Sequence, residues 1–291
     1  MLHLVAVAMR FSHDLALMLL VGSAICSVLL SSGRFASVVT RRLARLWSAA
    51  ALLNLVSALL LFALQGGLMG QGWSDVLNPD IWRMLPGTRF GAVWLWQMVL
   101  ALIIVAVTLL RPPRRSPLLL CLAALQLALL AGTGHAAMHD GVAGALHRTN
   151  HAVHLLAAAW WVGGLVPLLV CMRMATKPRW RKSAIAAMMR FSRYGHLAVA
   201  LVIATGAINS LAILGWHWSW QGDYVRLLLL KMGLASVMVA IALVNRYLLV
   251  PRFAQSAGVA QQRFIILTRV EMALALAVLL CVSLFATLEP F

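Results

Sequence analysis

Eight long apolar segments constrain this chain more than any other feature. They lie at roughly 12–32, 46–66, 90–110, 116–134, 149–171, 192–214, 225–248 and 269–288. Each approaches the ~20 residues a helix needs to cross the hydrocarbon of a bilayer, where a helix satisfies all its own backbone hydrogen bonds. The expected fold is all-α: a polytopic membrane protein with eight transmembrane helices in one membrane domain, 1–291. Composition agrees, at 63% hydrophobic and 11% charged, against about a quarter charged in soluble proteins. The gaps between segments are too short for a separate soluble domain. The opening "MLHLVAVAMRFSHD" has neither a basic leader region nor a small-residue cleavage site, so 12–32 reads as the first span and not as a removed signal.

The net charge of +17 would suggest nucleic acid in a soluble chain. In a membrane protein it reports topology, because cytoplasmic loops collect Lys and Arg. Placing both termini outside (periplasmic in a bacterium) puts 18 of the 24 basic residues on the cytoplasmic side. They run from Arg34, Arg41, Arg42 and Arg45, through Arg111–Arg115 and Arg173–Arg193, to Arg246–Arg269. No nucleic-acid partner is expected. Four cysteines, Cys26, Cys121, Cys171 and Cys281, contain no CxxC pair and read as buried thiols without a disulfide framework.

On the same topology eight of nine histidines face outside, His196 being the exception. Five fall within "GHAAMHDGVAGALHRTNHAVHLLAAAWWVGG", residues 134–164. His147, His151 and His154 are spaced i, i+4, i+7, one stripe of a helix that starts near Leu146. His135 and His139 flank Met138 in an outer, histidine-rich loop, 135–150. Imidazole with thioether favours copper, and a carboxylate such as Asp14 or Asp140 would suit Cu(II). The candidate ligands are His13, His135, Met138, His139, His147, His151 and His154. His3 and His217 read as interfacial polar groups. A second soft set, Cys171, Met172 and Met174 with Met188, Met189 and His196, lies toward the basic side as a Cu(I) release site or as ordinary apolar filler. Glu271 is expected to form an intramembrane ion pair with Arg246 or Arg269. Lys231 is expected to snorkel, and Trp160 and Trp161 to pack.

Three pairs of stretches repeat in order. "HDLALMLLVG" (13–22) matches "HLLAAAWWVG" (154–163). "RFGAVWLWQM" (89–98) matches "DYVRLLLLKM" (223–232). Arg42 and Arg45 precede the second span as Arg190 and Arg193 precede the sixth. This points to a 4+4 parallel duplication, repeats 1–134 and 147–291, with His13 and His154 as mates at the repeat interface, where transporters often place a site.

Nucleotide-binding, nucleophile-elbow and covalent-haem motifs are missing, so no enzymatic activity is expected. One alternative remains: a b-type haem protein of electron transfer, with His13, His135, His154 or His196 as axial ligands.

"HLLAAAWWVGGLVPLL" (154–169), "RFSRYGHLAVALVIATGAINS" (190–210), "DYVRLLLLKMGLASVMVAIALVNRYLLVP" (223–251), "VEMALALAVLLCVSLFATLEP" (270–290) and "TRFGAVWLWQ" (88–97) resemble the copper resistance protein D family (CopD/PcoD). The resemblance covers nearly the whole chain and is densest from about 150 onward. It implies an eight-span bacterial inner-membrane protein that moves copper from periplasm to cytoplasm. It also implies a small periplasmic copper-binding carrier, the C protein, as partner. Two positions depart from the family pattern, Ala92 and Gln97.

Overall fold

Every apolar segment is a helix in the computed structural model, which describes residues 1–134, 138, 140–215, 222–252 and 257–288. The spans are α1 (Leu2–Leu30), α2 (Gly33–Met69), α3 (Arg89–Leu110), α4 (Arg115–Gly132), α5 (Gly141–Ala175), α6 (Arg181–Leu214), α7 (Asp223–Arg252) and α8 (Gly258–Phe285). No strand occurs among the described residues.

Most helices outrun the hydropathy that marked them. At 37 residues α2 is roughly 55 Å long at 1.5 Å per residue, against ~30 Å of hydrocarbon. The excess carries Arg34, Arg41, Arg42 and Arg45. Hydropathy registers the bilayer, whereas the helix continues through its wetted, basic end. α5 likewise starts at Gly141, ahead of the expected Leu146, so the segment read as a loop to 150 is helical from 141.

Local chemistry sets the boundaries. Thr88 caps α3, its Oγ1 accepting from the Gly91 N–H. Arg111, the one non-glycine with positive φ among the described residues, ends α3 just before Pro112. α5 is interrupted at Gly163–Gly164, where Pro167 withholds the N–H that Gly163 would otherwise bond. α1 and α7 each contain a five-residue π turn, Cys26–Leu30 and Asn245–Leu249.

α1 and α5 form the centre. α1 packs on α2, α4, α5 and α8, and α5 packs on α1, α4 and α6. Trp47, Phe35, Leu17 and Leu20 fill the core there, and the Trp47 indole donates to Ser23 Oγ at 2.7 Å. The outward faces are apolar, with Leu102, Leu109, Ile203 and Val237 exposed, as a lipid-facing surface requires. The ends are tied by polar contacts. At the arginine-rich end Arg190 donates to the Leu30 carbonyl at 2.9 Å and Ser27 bonds Thr40. At the opposite end, where the chain begins, Arg10 reaches the Ala286 carbonyl at 3.4 Å. The beginning of α1 and the end of α8 therefore share one end of the bundle.

The two halves correspond in part. α1–α2 and α5–α6 pack alike, as do α3–α4 and α7–α8. They also differ: α2 packs directly on α3 and α1 on α4, whereas α6 and α7 scarcely touch and α5 meets α8 only past its Gly163–Gly164 break. A cavity of about 590 Å³ separates them, lined by His196, Arg246, Met188 and Glu271 among mainly apolar residues.

Candidate functional site

Near the end where the chain begins, a cavity of about 250 Å³ lies between the two halves. His13, Asp14 and Met18 of α1 line it, as do His147, His151 and His154 of α5 and Lys231 of α7. The i, i+4, i+7 stripe of α5 thus faces inward as its spacing requires. His13 lies ~16 Å along α1 from Leu2 and His154 ~20 Å along α5 from Gly141, so both are deeper than a position just inside the helix end. Both are buried.

The glycines that follow these histidines bring the helices together. Gly22 and Gly163 sit at the crossing of α1 and α5, where a Cβ on Gly163 would stand 1.9 Å from the Met18 carbonyl oxygen. The residues aligned in the sequence repeat therefore meet in space, each nine residues along its helix from its histidine.

Each histidine is oriented by the second helix of its own half. His154 Nδ1 is 3.0 Å from Thr205 Oγ1. The Thr205 hydroxyl donates its proton to the Leu201 carbonyl at 2.5 Å, so its lone pair accepts from His154 Nδ1–H. That tautomer leaves a lone pair on Nε2. An imidazole whose distal N–H is held this way is a well-prepared metal ligand. His13 is built differently. The Gln97 amide is fixed by donating to the Gln126 carbonyl at 2.8 Å. Its Oε1 therefore faces His13 Nε2 at 3.4 Å as an acceptor. Ser57 Oγ meets Nδ1 at 3.1 Å. Both nitrogens of His13 are engaged, in a network that continues to the reciprocal Asn54–Gln126 amide pair at 2.9 and 3.1 Å.

His151 stacks on His154 with ring centroids 6.2 Å apart. Asn209 accepts from Asn150 through Oδ1, so its Nδ2 donates to His151 Nδ1 at 3.2 Å. His147 is buried in the cavity wall. Met138 is exposed and does not line the cavity. His135, His139 and His217 lie outside the described residues. Asp14 faces the cavity with His13. Asp140 instead pairs with Arg89 at 2.6 Å; this guanidinium holds its carboxyl below the usual aspartate range. Four histidines thus share one cavity, but among the described residues no three His, Cys, Asp or Glu side chains converge on a single metal position.

Other intramembrane groups depart from expectation. Glu271 accepts from the Trp161 indole at 2.8 Å. No arginine pairs with it among the described residues: Arg246 instead donates to Ser192 Oγ at 2.7 Å. Trp161 does more than pack. It lines the outer cavity and also the 590 Å³ inner one, and so forms the partition between them. Lys231 turns into the outer cavity, its Nζ 5.5 Å from the Phe285 ring centroid. Of the second soft set, Cys171, Met172, Met174 and Met188 are buried, whereas Met189 is exposed and His196 bonds Tyr247. Thr205, Ser57 and Gln97 are the positioning residues that spacing alone does not single out.

Comparison with known proteins agrees across the chain. Residues 1–145 match the family model described as "Copper resistance protein D-like, N-terminal domain", and residues 185–285 match "Copper resistance protein D". Inner membrane protein YebZ of Escherichia coli (strain K12) is 46% identical over 285 residues, covering 98% of each chain. Copper resistance protein D of Pseudomonas syringae pv. tomato is 32% identical, covering 86% of this chain and 84% of its own. Copper transport protein CutJ of Bacillus subtilis (strain 168) is 26% identical over 95% of this chain and 52% of its own length. No solved structure matches.

Proposed function

Since the chain belongs to the copper resistance protein D family, we propose that it takes copper at the histidine-lined cavity and passes it to the arginine-rich side. The carrying observation is His154: an imidazole with Nδ1–H held by Thr205 and Nε2 left available in a cavity it shares with His13, His147 and His151. The arginine-rich end is cytoplasmic by the charge bias of the loops, which puts both termini and the cavity in the periplasm. The name of the Escherichia coli relative supports an inner-membrane location.

The cavity also holds Arg10 and Lys231 beside Asp14. That balance of charge repels a free hydrated cation, so ligand bonds and not field must select the ion. Copper is therefore received by ligand exchange from a carrier, the role assigned to a periplasmic protein of the C type. Exposed Met138, with Val142 and Leu146 at the start of α5, offers that carrier a partly apolar, sulfur-bearing contact. His135 and His139 would complete the intake. Onward movement runs past Trp161 into the inner cavity. The protein moves an ion and performs no chemical conversion. The two halves are copies, and the Gly22–Gly163 crossing lies at their interface.

The test is metal analysis with a visible spectrum on detergent-purified protein, wild type beside H13A, H154A and the double variant. Bound copper that falls in H154A, without a Soret band, supports the reading. A Soret band that vanishes with the same histidines reassigns the cavity to haem and the protein to electron transfer.

A further inference from the structure

At the arginine-rich end α1 and α5 meet a second time, through sulfur. Cys26 begins the π turn of α1, and Cys171 lies past the Gly163–Gly164 break in α5. The two thiols are near enough to interact electrostatically, and both lie in one buried cluster where α1 packs on the second part of α5. Both residues are buried, at 4% and 1% exposed. Met172, Met174 and Met188 belong to the same core cluster. A π turn widens the helix by one residue and often marks a functional position; here it begins at the cysteine. The same two helices therefore carry His13 and His154 toward one end and a facing pair of cysteines toward the other.

We propose that Cys26 and Cys171 form a two-coordinate Cu(I) site, the station that receives copper on the arginine-rich side. This rests on the copper-transfer reading of the outer cavity. Thiolate is the side-chain donor that most strongly selects Cu(I), and this ion accepts two thiolates without a third ligand. That removes the need for the three-residue convergence missing from the described residues. One Cu⁺ displaces the protons of two thiols, giving a bis-thiolate complex of charge −1 and two protons released toward the arginine-rich surface. The copper arrives as Cu(I) and no electron is exchanged at the site. Positive charge close by offsets the complex: Arg190 donates to the Leu30 carbonyl, one turn from Cys26, and Arg173 is two residues from Cys171. Nearby cations favour thiolate in the same way. Leu165, Leu168 and Met188 belong to the cluster that contains the pair and also line the 590 Å³ inner cavity, so the same cluster links the site to open space.

The experiment is anaerobic titration of reduced, metal-free, full-length protein in detergent with Cu(I), in competition with bathocuproine disulfonate, followed by X-ray absorption. Wild type, C26S, C171S and H154A are compared. The expected result is that each cysteine variant binds one fewer equivalent of Cu(I) than wild type and loses the copper–sulfur scattering, while H154A keeps that scattering and loses only the histidine-bound equivalent. Cysteine variants that retain the wild-type stoichiometry and sulfur scattering overturn the site; if H154A alone then loses copper, the outer-cavity reading survives without it. Loss only in the cysteine variants, with no copper held by His154, leaves the dithiol site standing and removes the outer one. A measurement on wild type alone guards against variants that misfold. Phenylarsine oxide, which bridges adjacent thiols, should bind one equivalent and be excluded by prior Cu(I) loading. Binding unaffected by Cu(I), or no binding at all, contradicts the proposal.

Discussion

Gly22 and Gly163 touch where α1 crosses α5: a Cβ on Gly22 would stand 2.2 Å from the Gly163 carbonyl carbon. Backbone contact this close needs small residues on both helices. It holds the helices bearing His13 and His154 in one fixed relation. G163A must therefore push α1 from α5, since the added methyl meets backbone and not a flexible side chain. The expected cost is about 1–3 kcal/mol, read as a lower melting temperature in detergent, together with weaker copper binding. An unchanged melting temperature would refute the crossing geometry.

On the proposed function, Thr205 acts on copper only through its contact with His154. T205V removes the hydroxyl that fixes the imidazole tautomer and is expected to weaken copper binding roughly 10–100-fold. T205S keeps the hydroxyl and should bind as wild type. Equal affinities for valine and serine variants would show that the hydroxyl orients nothing.

The partition between the cavities depends on the Trp161–Glu271 hydrogen bond. W161F leaves a buried carboxyl without its donor, at a cost of about 1–3 kcal/mol. E271Q keeps an acceptor for the indole and should melt close to wild type. W161A joins the outer and inner cavities, so vesicles containing it should leak protons faster than wild type; equal leak rates would place the partition elsewhere.

Arg89 and Asp140 tie the start of α3 to the start of α5. Asp140 is held below the usual aspartate range by this partner, so the folded state binds its proton less readily than the unfolded chain. The tie is fully present above the ordinary aspartate value of about 3.9 and is lost as pH falls through the lower, folded value. Amide exchange in the first turn of α5, corrected for its intrinsic pH dependence, should be flat from pH 7 to pH 5 and faster in R89A at both. A rise in wild-type exchange between pH 7 and pH 5 would mean that another group holds this turn.

The eight spans were legible because each apolar run matches the bilayer, and the histidine stripe because helical periodicity is local. His147, His151 and His154 do line one cavity. Helix starts were less legible: Arg41, Arg42 and Arg45 read as a loop, although a helix can continue beyond the membrane with a basic surface. Partners were least legible. Thr205 is 51 residues from His154 and Trp161 is 110 from Glu271. One hydroxyl or indole among many apolar positions gives no periodic signal, and only packing selects it. Asp140 looked like a ligand but is taken by Arg89, a choice made by how α3 and α5 begin. The Gly22–Gly163 contact is the exception, since both glycines were marked in advance by the repeated His-to-Gly spacing.

Copper uptake into sealed proteoliposomes tests the account most directly. Protein oriented with the histidine cavity outward is given copper on a carrier, and luminal copper is measured over time. Wild type is expected to accumulate copper well above protein-free vesicles, and H154A to remain at their level. Accumulation by H154A equal to wild type, or none by either while both bind copper in detergent, would contradict transfer through this cavity.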